Sequence, residues 1–245
     1  MKFYFYFFLI FNICISNAQI TKVIYKFVQY NPEQSEKELK ENKNNIPDFT
    51  MDIIKNFIEQ TSNQQFELVF DKSSALYFET NALSNSQFSS ENDNDIYYKN
   101  LKTKEKIFQN KITGSKVNVN IPFNQHDWSI TSESRMISGY RCFKAVLKSL
   151  QYNPLTKEKM LVDRFVWFTP EIPASFGPQG FDGLPGLVIE TAENDKLCLR
   201  AVKIEFNLDK NIKIEKPVAS KSIKLDEFEA IEKENFKKMQ DEMGN

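Results

Sequence analysis

Gly177-Pro178-Gln179-Gly180-Phe181-Asp182-Gly183-Leu184-Pro185-Gly186-Leu187-Val188 holds four of the chain's seven glycines at a strict spacing of three, with prolines at two of the intervening positions. Glycine serves where the backbone needs positive φ or an approach that a Cβ would block, and proline fixes φ while removing a donor. The segment is therefore a specified turn. Before it lies Met160 to Thr169, with Val162, Val166 and Phe168 on one face and Leu161, Phe165 and Trp167 on the other, a strand expected to be covered on both sides. After it comes Leu187 to Glu190, again strand-like. The glycine stretch thus reads as a crossover between two strands, closed by Pro170 and Pro173 at its start and setting the register of Leu187 at its end.

Outward from this point the chain continues as short strands separated by polar turns. On the N-terminal side these are Ile20 to Tyr30, Gln65 to Phe70, Ala75 to Thr80, Ile96 to Tyr98, Glu105 to Asn110, Lys116 to Phe123, Trp128 to Arg135 and, after a Ser138-Gly139 turn, Gly139 to Leu150. On the C-terminal side Lys196 to Phe206 changes its apolar phase between Leu197, Leu199, Ala201 and Val202, Ile204, Phe206. A one-residue slip of that kind predicts a bulge near Ala201. Asp48 to Ser62 repeats Phe49, Ile53 and Phe57 every fourth residue, which predicts an amphipathic helix covering one face of the sheet, and Asp226 to Met243 predicts a charged helix with a thin apolar stripe. The expected fold is mainly β (α+β): a curved, half-barrel-like antiparallel sheet with one amphipathic helix packed on it and a charged C-terminal helix.

Met1-Lys2, the apolar run Phe3 to Ile15 and the small residues Ser16-Asn17-Ala18 have the form of a secretory leader, with cleavage expected before Gln19. The apolar run is short of the ~20 residues a spanning helix needs. The organisation read from the sequence is a leader over 1–18, a single β-rich domain over 19–215 and a charged helical tail over 216–245. The expected location is exported, periplasmic or associated with the outer envelope, with no transmembrane segment in the mature chain. With 32 basic against 33 acidic residues the chain has no field to steer nucleic acid, so no nucleic-acid partner is expected. Cys142 and Cys198, which follow the leader, are candidates for one disulfide or for two buried thiols.

No catalytic set emerges from the residue types. A single histidine, His126, lies in the polar stretch Asn124-Gln125-His126-Asp127 and reads as a surface residue; one histidine also excludes zinc sites built on two or three. The glycine spacing lacks the Gly-Lys-Ser/Thr ending of a phosphate loop, and a strand rather than a helix follows it. Glu171, Asp182 and Glu190 could form paired carboxylates for a hydrolase, and Asp163 with Glu171 and Asp182 a small-metal site, but neither pattern is specific. No metal and no cofactor is expected, and the sequence assigns no ligand-binding residues.

Gly183-Leu184-Pro185-Gly186-Leu187-Val188 resembles the signature of the GLPGLI family of exported gram-negative envelope proteins, with Val188 where the family name has isoleucine. Trp128, Ile137-Ser138-Gly139-Tyr140-Arg141-Cys142-Phe143-Lys144-Ala145, Val166-Trp167-Phe168-Thr169-Pro170-Glu171-Ile172-Pro173, Gly177-Pro178 and Phe181 carry the resemblance across about 128–192. The motif positions it singles out are Gly177, Pro178, Gly180, Gly183, Leu184, Pro185, Gly186, Leu187, Trp128, Gly139, Tyr140 and Trp167. The resemblance implies an exported, β-rich protein and brings no activity with it. By fold analogy such a sheet looks like the periplasmic carriers of lipids and lipoproteins. The leading expectation is a non-enzymatic envelope protein binding a hydrophobic small molecule, or an outer-membrane protein partner, on the sheet. The alternatives are an acidic-residue hydrolase and a structural accessory of an outer-membrane complex.

Overall fold

The computed structural model describes residues 19–29, 64–80, 95–153, 158–192, 197–208 and 212–243. The leader and the helix expected over 48–62 lie outside them. Twelve strands form one open sheet in the order β12-β6-β5-β4-β3-β2-β1-β11-β10-β9-β8-β7. In chain order they are β1 (Ile20–Gln29), β2 (Gln65–Phe70), β3 (Ser74–Thr80), β4 (Ile96–Asn100), β5 (Glu105–Ile112), β6 (Ser115–Asn120), β7 (Trp128–Ile137), β8 (Tyr140–Asn153), β9 (Glu158–Thr169), β10 (Leu187–Ala192), β11 (Leu197–Leu208) and β12 (Lys221–Lys224). One helix, α1, spans Leu225–Met243.

Two runs of hairpins make the two wings of the sheet, and β1 joins them. Its alternation places Val23 and Tyr25 in the core, and it pairs antiparallel with β2 on one side and β11 on the other. Tight turns hold the wings in register. Ser138 and Gly139 have φ of 50° and 85°, and Thr113 and Gly114 have φ of 47° and 83°, the paired positive values of the type I′ turn that matches strand twist.

The slip in apolar phase along β11 is a bulge. Ile24 opposes Lys203 and Tyr25 opposes Ala201, so Val202 is the extra residue and Ala201 stays buried. A second irregularity lies between Val188 and Glu190 on β10: Val188 opposes Phe168 and Glu190 opposes Trp167, which leaves Ile189 as the extra residue. The sheet curls at this end, because Arg135 on the edge strand β7 reaches Glu190 on β10, and Ser138 Oγ donates to Ala201 O at 2.5 Å. In a flat sheet β7 would lie roughly 14 Å from β10 and farther still from β11.

One strand pair departs from the antiparallel expectation. β12 lies parallel to β6 and seals that edge, and α1 follows it directly. Residues 221–224 of the expected tail therefore belong to the sheet. Leu225, Phe228 and Ile231 of α1 pack against Phe108, Val117, Val119 and Ile223, so much of the helix's thin apolar stripe is used on its own domain.

Candidate functional site

The crossover between β9 and β10 folds back over the sheet and buries Ile172, Ala174, Phe176, Phe181 and Leu184. Leu187 N donates to Ile172 O at 3.0 Å and Val188 N to Phe176 O at 3.0 Å, so its first half runs beside the strand it leads into. Two side chains fix it and the strand it leads into: Trp128 Nε1 donates to Asp182 O at 2.8 Å, and the buried Tyr25 hydroxyl donates to Val188 O on β10 at 2.5 Å. Burial holds the Tyr25 phenol well above its ordinary pKa.

The glycines serve two different needs. Gly180 and Gly183 have φ of 74° and 92°, the left-handed region. Gly177 and Gly186 do not, and what they supply is room. A Cβ at Gly186 would stand 2.1 Å from Thr169 O, and one at Gly177 would stand 2.1 Å from Phe181 O. Pro178 opens a short 3-10 turn over Pro178–Gly180 and is buried, whereas Pro185 is exposed.

Asp182 ties the crossover to the other wing. Its carboxylate is buried between Lys99 of β4 at 2.6 Å and Lys106 of β5 at 3.0 Å. Lys106 also donates to Gly180 O at 2.9 Å and to Gln125 Oε1 at 3.1 Å, and burial lowers its pKa despite Asp182. His126 is not the free surface residue its polar neighbours suggest. Nε2 lies 3.0 Å from Gly180 O, and burial, reinforced by the Lys106 charge, pushes its pKa down to about 4. The imidazole is neutral at ordinary pH, and its NH on Nε2 is then the donor to that carbonyl.

Glu190 is fully buried within the wing formed by β7 to β11, where Arg135 and Arg200 hold its two oxygens, the latter at 2.5 Å. Arg135 also stacks over the Trp167 ring at 4.3 Å. Cys142 and Cys198 are buried free thiols beside this group, and desolvation followed by the Glu190 charge pushes both up to about 12. Glu171 accepts from the Arg141 backbone at 2.8 Å. Glu171, Asp182 and Glu190 thus have separate partners, and no two of them form the side-by-side pair a hydrolase of that kind needs. Among the described residues no cluster of His, Cys, Asp and Glu is arranged to hold a metal ion.

The space left beside the crossover is a cleft of about 970 Å³. Its floor is a ladder of rings crossing four strands. Phe66 stacks on Tyr77 at 5.8 Å, Tyr77 meets Tyr97 at 6.0 Å, Tyr97 stacks on Phe108 at 4.8 Å, and Phe108 meets Phe228 of α1 edge-on at 5.6 Å. Phe181, Gln179 and His126 line it on the crossover side, and the exposed Asp95, Arg164, Glu229 and Glu232 stand at its rim with the half-buried Glu79.

Most of the motif positions read from the sequence gather at the crossover rather than at the cleft. Trp128, Leu184 and Leu187 pack with it or lie in it, Gly139 forms the β7–β8 turn, Tyr140 packs half-buried on the core, and Trp167 lies under Arg135. The ladder was missed. Its four strand residues are 42 positions apart at the extremes and fall in four strands, each with only one or two aromatics, so only pairing brings them together.

The sequence model of a family described as "Protein of unknown function (Porph_ging)" matches residues 153–190, which take in the end of β8, all of β9, the crossover and the start of β10. No curated protein matches. Among solved structures the chain is similar to PNGF-II in two crystal forms: in the C2 form the TM-score is 0.54 at 15% identity, with 87% of this chain covering 32% of that one. In the P21 form the values are 0.53 and 16%, with 87% covering 33%. The chain spans about a third of the length of PNGF-II, and at such identity the likeness is one of fold.

Proposed function

We propose that this is an exported envelope protein of the GLPGLI kind that binds an apolar ligand in the cleft over the aromatic ladder. The observation that carries the reading is the cleft itself: about 970 Å³, floored by a continuous run of five rings contributed by β2, β3, β4, β5 and α1. Small-molecule sites are typically concave, ~300–1,000 Å³ and lined with apolar and aromatic groups that a few polar side chains punctuate. The crossover has the complementary role of a fixed wall. Its ion pairs and tight glycines hold Phe181 and Gln179 in place, so the site is preformed.

Export rests on the leader-like residues 1–18 and on the resemblance, and it agrees with the first strand starting at Ile20, just past the expected cleavage point. No helix among the described residues is long and apolar enough to cross a membrane. The separate partners of Glu171, Asp182 and Glu190 remove the reason for favouring a hydrolase built on them.

A neutral solvatochromic dye such as Nile red tests the reading. Saturable binding at one site, lost in Phe228→Asp while the circular dichroism spectrum is retained, is the expected result. Binding that does not saturate, or that Phe228→Asp leaves unchanged, would overturn it.

A further inference from the structure

We propose that the cleft selects amphiphiles with a positively charged head, the aromatic ladder taking the chain and the carboxylate rim taking the cation. This rests on the apolar-ligand reading above and adds the charge of the ligand to it.

Among the described residues that line the cleft, carboxylates outnumber cations: Glu79 at the end of β3, Asp95 before β4, whose carboxylate accepts from Asn110 Nδ2, and Glu229 and Glu232 one helical turn apart on α1 stand against Arg164. Arg164 is itself placed over the Phe181 ring at 5.8 Å. Two lysines beside the crossover do not offset the rim. Lys106 and Lys99 hold Asp182, and Lys106 holds the Gly180 carbonyl as well, with both ammonium groups buried. His126 adds no charge, since it is neutral above pH about 4. A phosphate or carboxylate head would therefore bring a negative charge against four carboxylates, a like-charge repulsion that low salt leaves unscreened.

The floor favours the same ligand. Ring faces carry negative potential and attract a cation within ~6 Å of the centroid, most strongly when it is desolvated. The ladder runs roughly 20 Å from Phe66 to Phe228, given strands ~4.8 Å apart, and so offers a track for an extended chain of a dozen or more carbons.

The test compares heads at constant chain length. Dodecyl trimethylammonium, dodecyl maltoside and laurate, all below their micelle concentrations, compete against Nile red on the full mature chain at pH 7.5 and low salt. The cationic compound is expected to displace the dye at about one tenth the concentration of the neutral one, with laurate weaker than both. Glu229→Gln/Glu232→Gln, both exposed positions, is expected to cut that advantage to about three-fold or less and to leave the neutral compound unchanged. Salt at 0.5 M is expected to do the same. Equal binding of all three heads, or a preference for laurate, overturns the charge selection and leaves the apolar site standing. Failure of every amphiphile to displace the dye removes the apolar reading and this one with it. Binding gained only on deletion of residues 48–62 would mean that the cleft belongs to the chain's own segment, and would overturn the proposal.

Discussion

Replacing Gly186 by alanine is the sharpest perturbation the crossover offers, because the new Cβ would meet only backbone. It would stand 2.1 Å from Thr169 O, 2.6 Å from Thr169 C and 2.9 Å from Pro170 Cα. No side chain can swing aside, so β9 and the start of β10 must separate. Overpacking a core costs about 1–3 kcal/mol when neighbours can give. Here the rigid partner is the strand that pairs Thr169 with Leu187, and the displaced residues include the fully buried Leu187 and Val188, so the expected loss is about 3 kcal/mol or more. For a domain of this size that lowers Tm by roughly 6–12 °C. Gly114→Ala is the control: its Cβ would meet nothing within 4 Å, and only its φ of 83° opposes the change, at about 1 kcal/mol. Urea unfolding of both variants can be followed by the fluorescence of Trp128 and Trp167, one in contact with the crossover and one under Arg135. A Gly186→Ala protein within 1 kcal/mol of the parent, or a larger loss from Gly114→Ala, would refute the close-approach explanation.

Asp182→Asn strands two buried ammonium groups and is expected to cost about 3–5 kcal/mol in the same assay, whereas Asp182→Leu with Lys99→Met and Lys106→Met should cost less than the single change; a single change costing under 1 kcal/mol would contradict the clamp. His126 binds its proton near pH 4 when folded and near 6.5 when unfolded, so the unfolded chain takes up the proton first on acidification. Its contribution is full above about pH 6.5 and is lost as pH falls toward 4. The whole shift corresponds to about 3 kcal/mol, which solvent screening at this part-exposed ring reduces to about 1–2, and the difference between parent and His126→Gln unfolding free energies from pH 7 to pH 4 should show it; parallel pH profiles would count against it. Cys142 and Cys198, buried and with pKa pushed up to about 12, should resist iodoacetamide at pH 8 in the folded protein and both react in urea without reductant. Reaction within minutes in the folded state, or none after unfolding, would contradict buried free thiols.

Strand positions were legible because alternation and turn residues are local properties. Gln65 to Phe70 matches β2 residue for residue, and the phase change around Ala201 marked a bulge that the register places at Val202. Pairing was not legible. Nothing in Ile20 to Gln29 announces that it joins the two wings through partners as distant as Leu208 and Phe70, and nothing in Lys-Ser-Ile-Lys at 221–224 announces a parallel edge strand. The glycine motif was legible as a constraint, but not which constraint. Spacing alone does not separate the glycines that need positive φ, Gly180 and Gly183, from those that need room, Gly177 and Gly186, because whether a glycine provides φ or space depends on what packs against it. His126 was misread for the same reason: its polar neighbours in sequence say nothing of Gly180, 54 residues away, whose carbonyl it meets.

Whether the aromatic cleft is a binding site is tested most directly by mapping a ligand onto it. In an NMR titration of the mature protein with dodecyl trimethylammonium below its micelle concentration, the aromatic resonances of Phe66, Tyr77, Tyr97, Phe108 and Phe228 should shift together along one saturable curve. Shifts confined to the exposed apolar residues Met136, Val202 and Phe206, or no saturable shift at the ladder, would contradict it.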